Sequence, residues 1–160
     1  MTDPIPAGYH ALTPSLTLKD SQKAIDFYKK AFGATVLDLF PNLNGPGIMH
    51  ATIKIGDSII MMGDEMPGQT CKSAESLGTS PVSLFLYVAD ADATFKQAVA
   101  AGATMVMPVE DMFWGDRAGN VKDPFGYLWM IATHKRDMTK EQIRAEAVTF
   151  FANYAKKHGK

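Results

Sequence analysis

At 160 residues, 46% of them hydrophobic, the chain is long enough for one compact domain, or two half-size units sharing a core, and needs neither a disulfide nor a metal merely to fold. The 16 basic and 17 acidic residues nearly cancel to a net charge of −1, and no basic stripe interleaves with aromatics, which argues against nucleic acid as a partner. The opening MTDPIPAGYH lacks the basic region and apolar core of a signal peptide, no apolar run approaches membrane-spanning length, and the lone Cys71 has no internal partner; a soluble cytoplasmic protein that engages neither membrane nor nucleic acid is expected.

Residues 13–18 alternate, placing Leu16 and Leu18 on one face and Thr13, Ser15 and Thr17 on the other, as a half-buried strand requires. Asp20 then suits a helix N-cap. Ile25, Tyr28 and Phe32, with Ala24, Phe27 and Ala31 beside them, form a helical apolar stripe that ends at Gly33, the residue best fitted to a left-handed cap. A strand over 36–40, the turn-rich stretch 41–47, and two runs over 50–55 and 58–63 joined by Gly56-Asp57 complete a βαβββ unit.

Residues 66–81 are polar and rich in Gly, Ser and Thr, reading as a linker or mobile loop. The order then repeats: a strand over 82–88, a helix over 92–101, a strand over 104–107, a loop containing FWGDR (113–117), and two strands flanking DPFG (123–126). LTLKDSQKAIDFYKKAFGAT (16–35) returns as LYVADADATFKQAVAAGAT (86–104), with Asp20 and Asp90 at an offset of 70 and Gly33 and Gly102 at 69. The expected organisation is an N-terminal extension (1–9), one unit over 10–66, a linker over 67–80, a second unit over 81–135 and a final segment over 136–160. In that segment Thr139 and Gln142 form a capping box for a helix carrying Ile143, Ala147, Phe150, Phe151 and Tyr154. The expected class is α+β: two tandem βαβββ units whose curved mixed sheets surround a cleft, plus a C-terminal helix.

The paired units, AIDFYKKAFGA after the first strand and DPFGYLWMIATH at the end, together resemble the glyoxalase, bleomycin-resistance and extradiol-dioxygenase superfamily, the vicinal-oxygen-chelate fold. The resemblance covers roughly residues 10–135, and WGDR with WMIATH is similar to a glyoxalase-like branch of it. It implies a cleft enclosed by the two sheets, frequently completed by a partner chain in a homodimer, where enzymes of the superfamily hold a divalent metal through His and Glu. The positions it assigns to ligands fall on Thr13, Met61, Ser83 and Met130. A hydroxyl pair and two thioethers are poor ligands for Mg²⁺, Mn²⁺, Fe²⁺, Ni²⁺ or Zn²⁺, so neither a metal nor another cofactor is expected.

Alternation from those positions gives the cleft face. Thr13, Ser15, Thr17 and Met61 stand on it with Ile59, and Ser83, Phe85, Tyr87 and Met130 with Leu128; the middle strands add His50 and Thr52 from one copy and Asn120 and Lys122 from the other. A mostly apolar concavity with a few polar handles describes a small-molecule site. His50 is the candidate general base, or a metal ligand with Glu65, if an orienting partner stands beside it; otherwise it is a strand-edge residue. Trp114 and Arg117 either close the cleft, stacking on a planar ligand and engaging an anion, or form a surface loop in which Asp116 pairs with Arg117 and Trp114 covers core. Asp123 reads as the anchor of a turn rather than an acid catalyst, and Cys71, in a polar linker without an evident base, as no nucleophile. The leading expectation is a metal-independent small-molecule binding protein, with a metal-dependent lyase or dioxygenase using a nonstandard site, or a protein-association module, as alternatives; whether it is an enzyme stays open.

Overall fold

Asp20 and Asp90 begin the two principal helices in the same way. In a computed structural model describing residues 3–158, strand β1 (Ser15–Leu18) passes into helix α1 (Ser21–Phe32) through Asp20, whose carboxylate accepts from Lys23 N at 3.0 Å. This satisfies one of the backbone donors left open at a helix start. Gly33 ends the helix at φ 66°, a left-handed conformation that penalises residues with a Cβ. Strands β2 (Thr35–Pro41), β3 (Ile48–Ile55) and β4 (Ser58–Asp64) follow, with β3 and β4 joined by the Gly56-Asp57 turn.

The linker is not wholly irregular. It contains a helical turn, α2 (Ala74–Leu77), capped by Ser73 and held by Glu65, which accepts from both Ser73 N (3.0 Å) and Ser73 Oγ (2.7 Å). The Ser-Ala-Glu-Ser-Leu-Gly run carries a cap at each end, but at four residues its helical period is too short to register in the sequence.

Strand β5 (Ser83–Tyr87) opens the second copy, followed by α3 (Ala91–Ala101), β6 (Thr104–Asp111), β7 (Asp116–Lys122), β8 (Leu128–His134) and the C-terminal α4 (Lys140–His158). Asp90 accepts from Ala93 N at 2.9 Å, which moves the start of α3 to Ala91. Strand β6 runs beyond Met107 because Pro108, which has no N–H to donate, falls where the register shifts between Met107 and Glu110. Thr139 and Gln142 form the expected reciprocal box: Gln142 N donates to Thr139 Oγ1 (3.2 Å) and Thr139 N to Gln142 Oε1 (2.8 Å).

Each unit forms a four-stranded mixed sheet, ordered β1-β4-β3-β2 and β5-β8-β7-β6, with the first pair of each parallel and the rest antiparallel. The protein is therefore α+β with two repeated units. Helices α1 and α3 pack together, and the core between helices and sheets joins Leu16, Leu18, Ile25 and Tyr28 of the first unit to Phe95, Val121, Trp129 and Ile131 of the second. Tyr127 donates its hydroxyl to Thr17 O at 2.7 Å, a further tie across the units.

Candidate functional site

Strand pairing assembles the sheet face opposite the helices in rows. In the first sheet Ser15, Met61, Thr52 and Asp38 stand side by side; in the second, Phe85, Met130, Asn120 and Met107. The next row of the second sheet is Tyr87, Ala132, Ala118 and Glu110, and beyond it Asp116 faces His134. Met61 and Met130 thus hold equivalent central positions.

Both faces are partly covered by the chain's own ends. Over the first sheet the N-terminal segment brings the Tyr9 hydroxyl to 3.4 Å from Thr52 Oγ1 and Gly8 against Ile59, so that Thr52 is only 1% exposed. Over the second, Phe150 of α4 packs with Met107, Met130 and Trp114 against Met112, Ala118 and Ala132. The two alanines leave room for these larger side chains.

Among the described residues, three cavities take up residues of these faces. One, of about 380 Å³, lies between the units; Thr13, Pro14, Ile59 and the Gly56-Asp57 turn bound it on one side, β5 with Phe85 and Tyr87 on the other, and Trp129 reaches its wall. A second, of about 370 Å³, brings Ser15, Thr17 and His50 together with Asp64 and Cys71 of the linker. The third, of about 690 Å³, lies between α4 and strands β6 and β7 and takes Asn120. Ser83 stands exposed on β5, and Lys122 borders a groove beside α2 with Ser80 and Pro124.

His50 has a neighbour two residues on along its strand: its Nε2 lies 3.1 Å from Thr52 Oγ1. Glu65 is engaged elsewhere, by Ser73 and by Lys72 at 3.1 Å. The backbone and hydroxyl donors of Ser73, then Ser76 and Lys72, lower its carboxyl to about 2. Arg117 turns to the helix side of β7, where Asp92 accepts from Nε at 2.6 Å and from Nη2 at 2.8 Å, and Asp111 accepts from Nη1 at 3.2 Å. Its partners are therefore Asp92 and Asp111 rather than Asp116.

Asp116 instead organises a polar cluster that reading from sequence did not assemble. Tyr87 donates to its Oδ2 at 2.9 Å, Trp114 Nε1 to the same oxygen at 2.8 Å, and His134 Nδ1 lies 2.8 Å from Oδ1. The carboxylate is 3% exposed. Burial works to raise its pKa, but hydrogen bonds from His134, Tyr87 and Trp114 outweigh that and hold it below the ordinary value. The bond to Asp116, and a second from Nε2 to Asp137 at 3.1 Å, raise His134 above its ordinary value. A signal was present, because a hairpin folded about Phe125 pairs residues equidistant from it, and 116 and 134 are such a pair.

The donor set at Thr13, Met61, Ser83 and Met130 does not fit a divalent metal, being two hydroxyls and two thioethers. Among the described residues no three His, Cys, Asp or Glu side chains come together as a cation would require. What the site offers instead is surface: a tilted aromatic pair, Phe85 and Tyr87 with ring centroids 4.9 Å apart, facing an inter-unit cavity. Among the described residues no helix is long and apolar enough to cross a membrane.

A two-unit βαβββ fold with this cleft defines one class of protein, and the sequence agrees. The chain belongs to the Glyoxalase/Bleomycin resistance protein/Dioxygenase superfamily, whose sequence model matches residues 10–131. It is 41% identical over 138 residues to the uncharacterized protein Rv0887c of Mycobacterium tuberculosis, covering 84% of this chain and 81% of that one. It is 31% identical over 137 residues to the uncharacterized protein At5g48480 of Arabidopsis thaliana, covering 79% and 81%. Among solved structures, TioX from Micromonospora sp. ML1 superposes with a TM-score of 0.62 at 29% identity, over 78% of this chain and 98% of that one. The fosfomycin resistance protein FosX of Listeria monocytogenes shares the fold, with a TM-score of 0.59 at 15% identity over 84% and 97%.

Proposed function

We propose that this chain is a metal-independent small-molecule binding protein of the glyoxalase/bleomycin-resistance type, cytoplasmic and homodimeric, whose ligand occupies the cavity between the two units. The observation that carries this reading is the Phe85–Tyr87 pair. These rings are 49% and 60% exposed, lie against each other at a tilt of 38°, and face a cavity of about 380 Å³, within the range that holds a modest ligand. Aromatic residues left open in a concave wall offer apolar area and a π-face to a flat compound. Thr13 at the mouth adds a hydroxyl handle, and Ile59 and Leu84 supply apolar walls.

The homodimer is supported by family membership and by open apolar side chains on β2 (Leu37, Leu39, Phe40) and β6 (Met105, Val106). Cytoplasmic residence is supported by the exposed thiol of Cys71. A metal-dependent lyase or dioxygenase centred on His50 and Glu65 has less support, because Glu65 is already committed to Ser73 and Lys72.

Trp129 at the cavity wall supplies the test. Titration with small bicyclic aromatics such as indole and 1-naphthol is expected to change tryptophan fluorescence saturably, with the response kept in Trp114→Phe, and Phe85→Ala is expected to weaken binding by about 1–3 kcal/mol. A response abolished by Trp114→Phe and untouched by Phe85→Ala would place binding elsewhere and reject the reading.

A further inference from the structure

The larger cavity, about 690 Å³ under α4, has a different chemical character from the inter-unit site. The family match ends at residue 131, before α4 begins, so this cavity is built by a helix outside the matched residues. Its helix wall is Phe150, Asn153 and Tyr154, presented at the i, i+3 and i+4 spacing of one helical face; its sheet wall is Val106, Met107 and Asn120. Two carboxylates border it, Glu110 and Asp111, and no basic side chain is among the described residues that line it. Asp111 is offset by Arg117, which Asp92 holds on the helix side; Glu110 stands on the cavity side of its sheet row, beyond Asn120. Lys122, the other basic residue of β7, is exposed and borders the groove beside α2 instead.

Asn120 adds a second, independent observation. Its Oδ1 is shut off from solvent and has no hydrogen-bond donor among the described residues. An orphaned buried acceptor is costly, and the broad χ2 torsion of Asn lets the amide turn toward a donor placed in the cavity. Aromatic rings, a carboxylate with no cationic partner among the described residues that line the cavity and an acceptor with no donor among the described residues are together what an organic ammonium ion on an apolar body requires.

We propose that the cavity between α4 and strands β6 and β7 binds a small apolar ammonium compound, its charge met by Glu110 and Tyr154 and its N–H by Asn120. This site is separate from the inter-unit cavity and stands or falls independently of it.

The experiment compares three ligands of one shape, phenethylammonium, 2-phenylethanol and 3-phenylpropanoate, by ¹H–¹⁵N NMR titration of the full chain at pH 7. Phenethylammonium is expected to bind roughly tenfold more tightly than 3-phenylpropanoate, with saturable shifts at Met107, Asn120, Phe150 and Tyr154. Glu110→Gln, at the exposed rim, is expected to remove most of that preference while leaving 2-phenylethanol unaffected; Asn120→Leu is expected to weaken the ammonium compound more than the alcohol. Equal affinities, a preference for the carboxylate, or no binding by any of the three would overturn the proposal. Shifts confined to Phe85 and Tyr87 would overturn it while leaving the inter-unit reading intact.

Discussion

Tyr28, buried in α1, donates its hydroxyl to Asp123 Oδ2 at 2.7 Å, so a helix of the first unit grips the last turn of the second. Asp123 is fully used. Trp129 Nε1 donates to the same oxygen at 2.9 Å, while Phe125 N and Tyr127 N donate to Oδ1 at 3.0 and 2.9 Å. Its sequence reading as a turn anchor is thus extended: the carboxylate also joins the two copies.

Tyr28→Phe removes one donor from a buried carboxylate and is expected to cost about 1–3 kcal/mol in denaturant unfolding. Burial raises the Asp123 carboxyl above its ordinary value, and the hydrogen bonds from Trp129 and Tyr28 oppose that shift. A carboxyl raised in the folded state holds its proton more tightly there, so its ionisation weakens the fold as pH rises from about 4 through the folded value. Losing the Tyr28 bond raises that value further. The destabilisation by Tyr28→Phe is therefore expected to be larger at pH 7 than at pH 4; a cost independent of pH would contradict this assignment.

The Asp116–His134 pair predicts the opposite slope at each end of its own window. His134 is raised, so its contribution is complete below about pH 6.5 and is lost as pH climbs through its folded value; Asp116 is lowered, so its contribution is present above about pH 4 and is lost as pH falls through its folded value. NMR titration is expected to place His134 above its ordinary value and to show it falling back in Asp116→Asn. Observing His134 at or below the ordinary value in the wild-type chain would rule out the pairing.

Packing behind the second sheet is tight at Gly119, where an added Cβ would meet Val109 Cγ2 at 2.9 Å and Phe95 Cε2 at 3.0 Å. Gly119→Ala must push α3 and β6 away from β7 and is expected to lower stability by about 1–3 kcal/mol. Thermal unfolding checks it, with an unchanged midpoint as the contrary result.

The fold was legible because three sequence signals agreed: strand alternation at Leu16 and Leu18, acidic caps at Asp20 and Asp90, and glycines ending both helices. The face of each sheet was legible for the same reason, since a period of two leaves only two choices. How that face is shared out was not. The coverage of Thr52 by Tyr9 and of Met130 by Phe150 comes from the chain's ends, whose docking no local period encodes. Likewise Arg117 and Asp116 are adjacent in sequence but point to opposite faces of β7, so their true partners, Asp92 and His134, come from other elements.

The most direct measurement is a crystallographic fragment screen on chelator-treated protein. Metal-independent binding between the units predicts aromatic fragments stacked on Phe85 and Tyr87 beside Thr13, with no divalent ion added. An inter-unit cavity empty across the screen, or filled only after a divalent metal is restored and coordinated there, would contradict it.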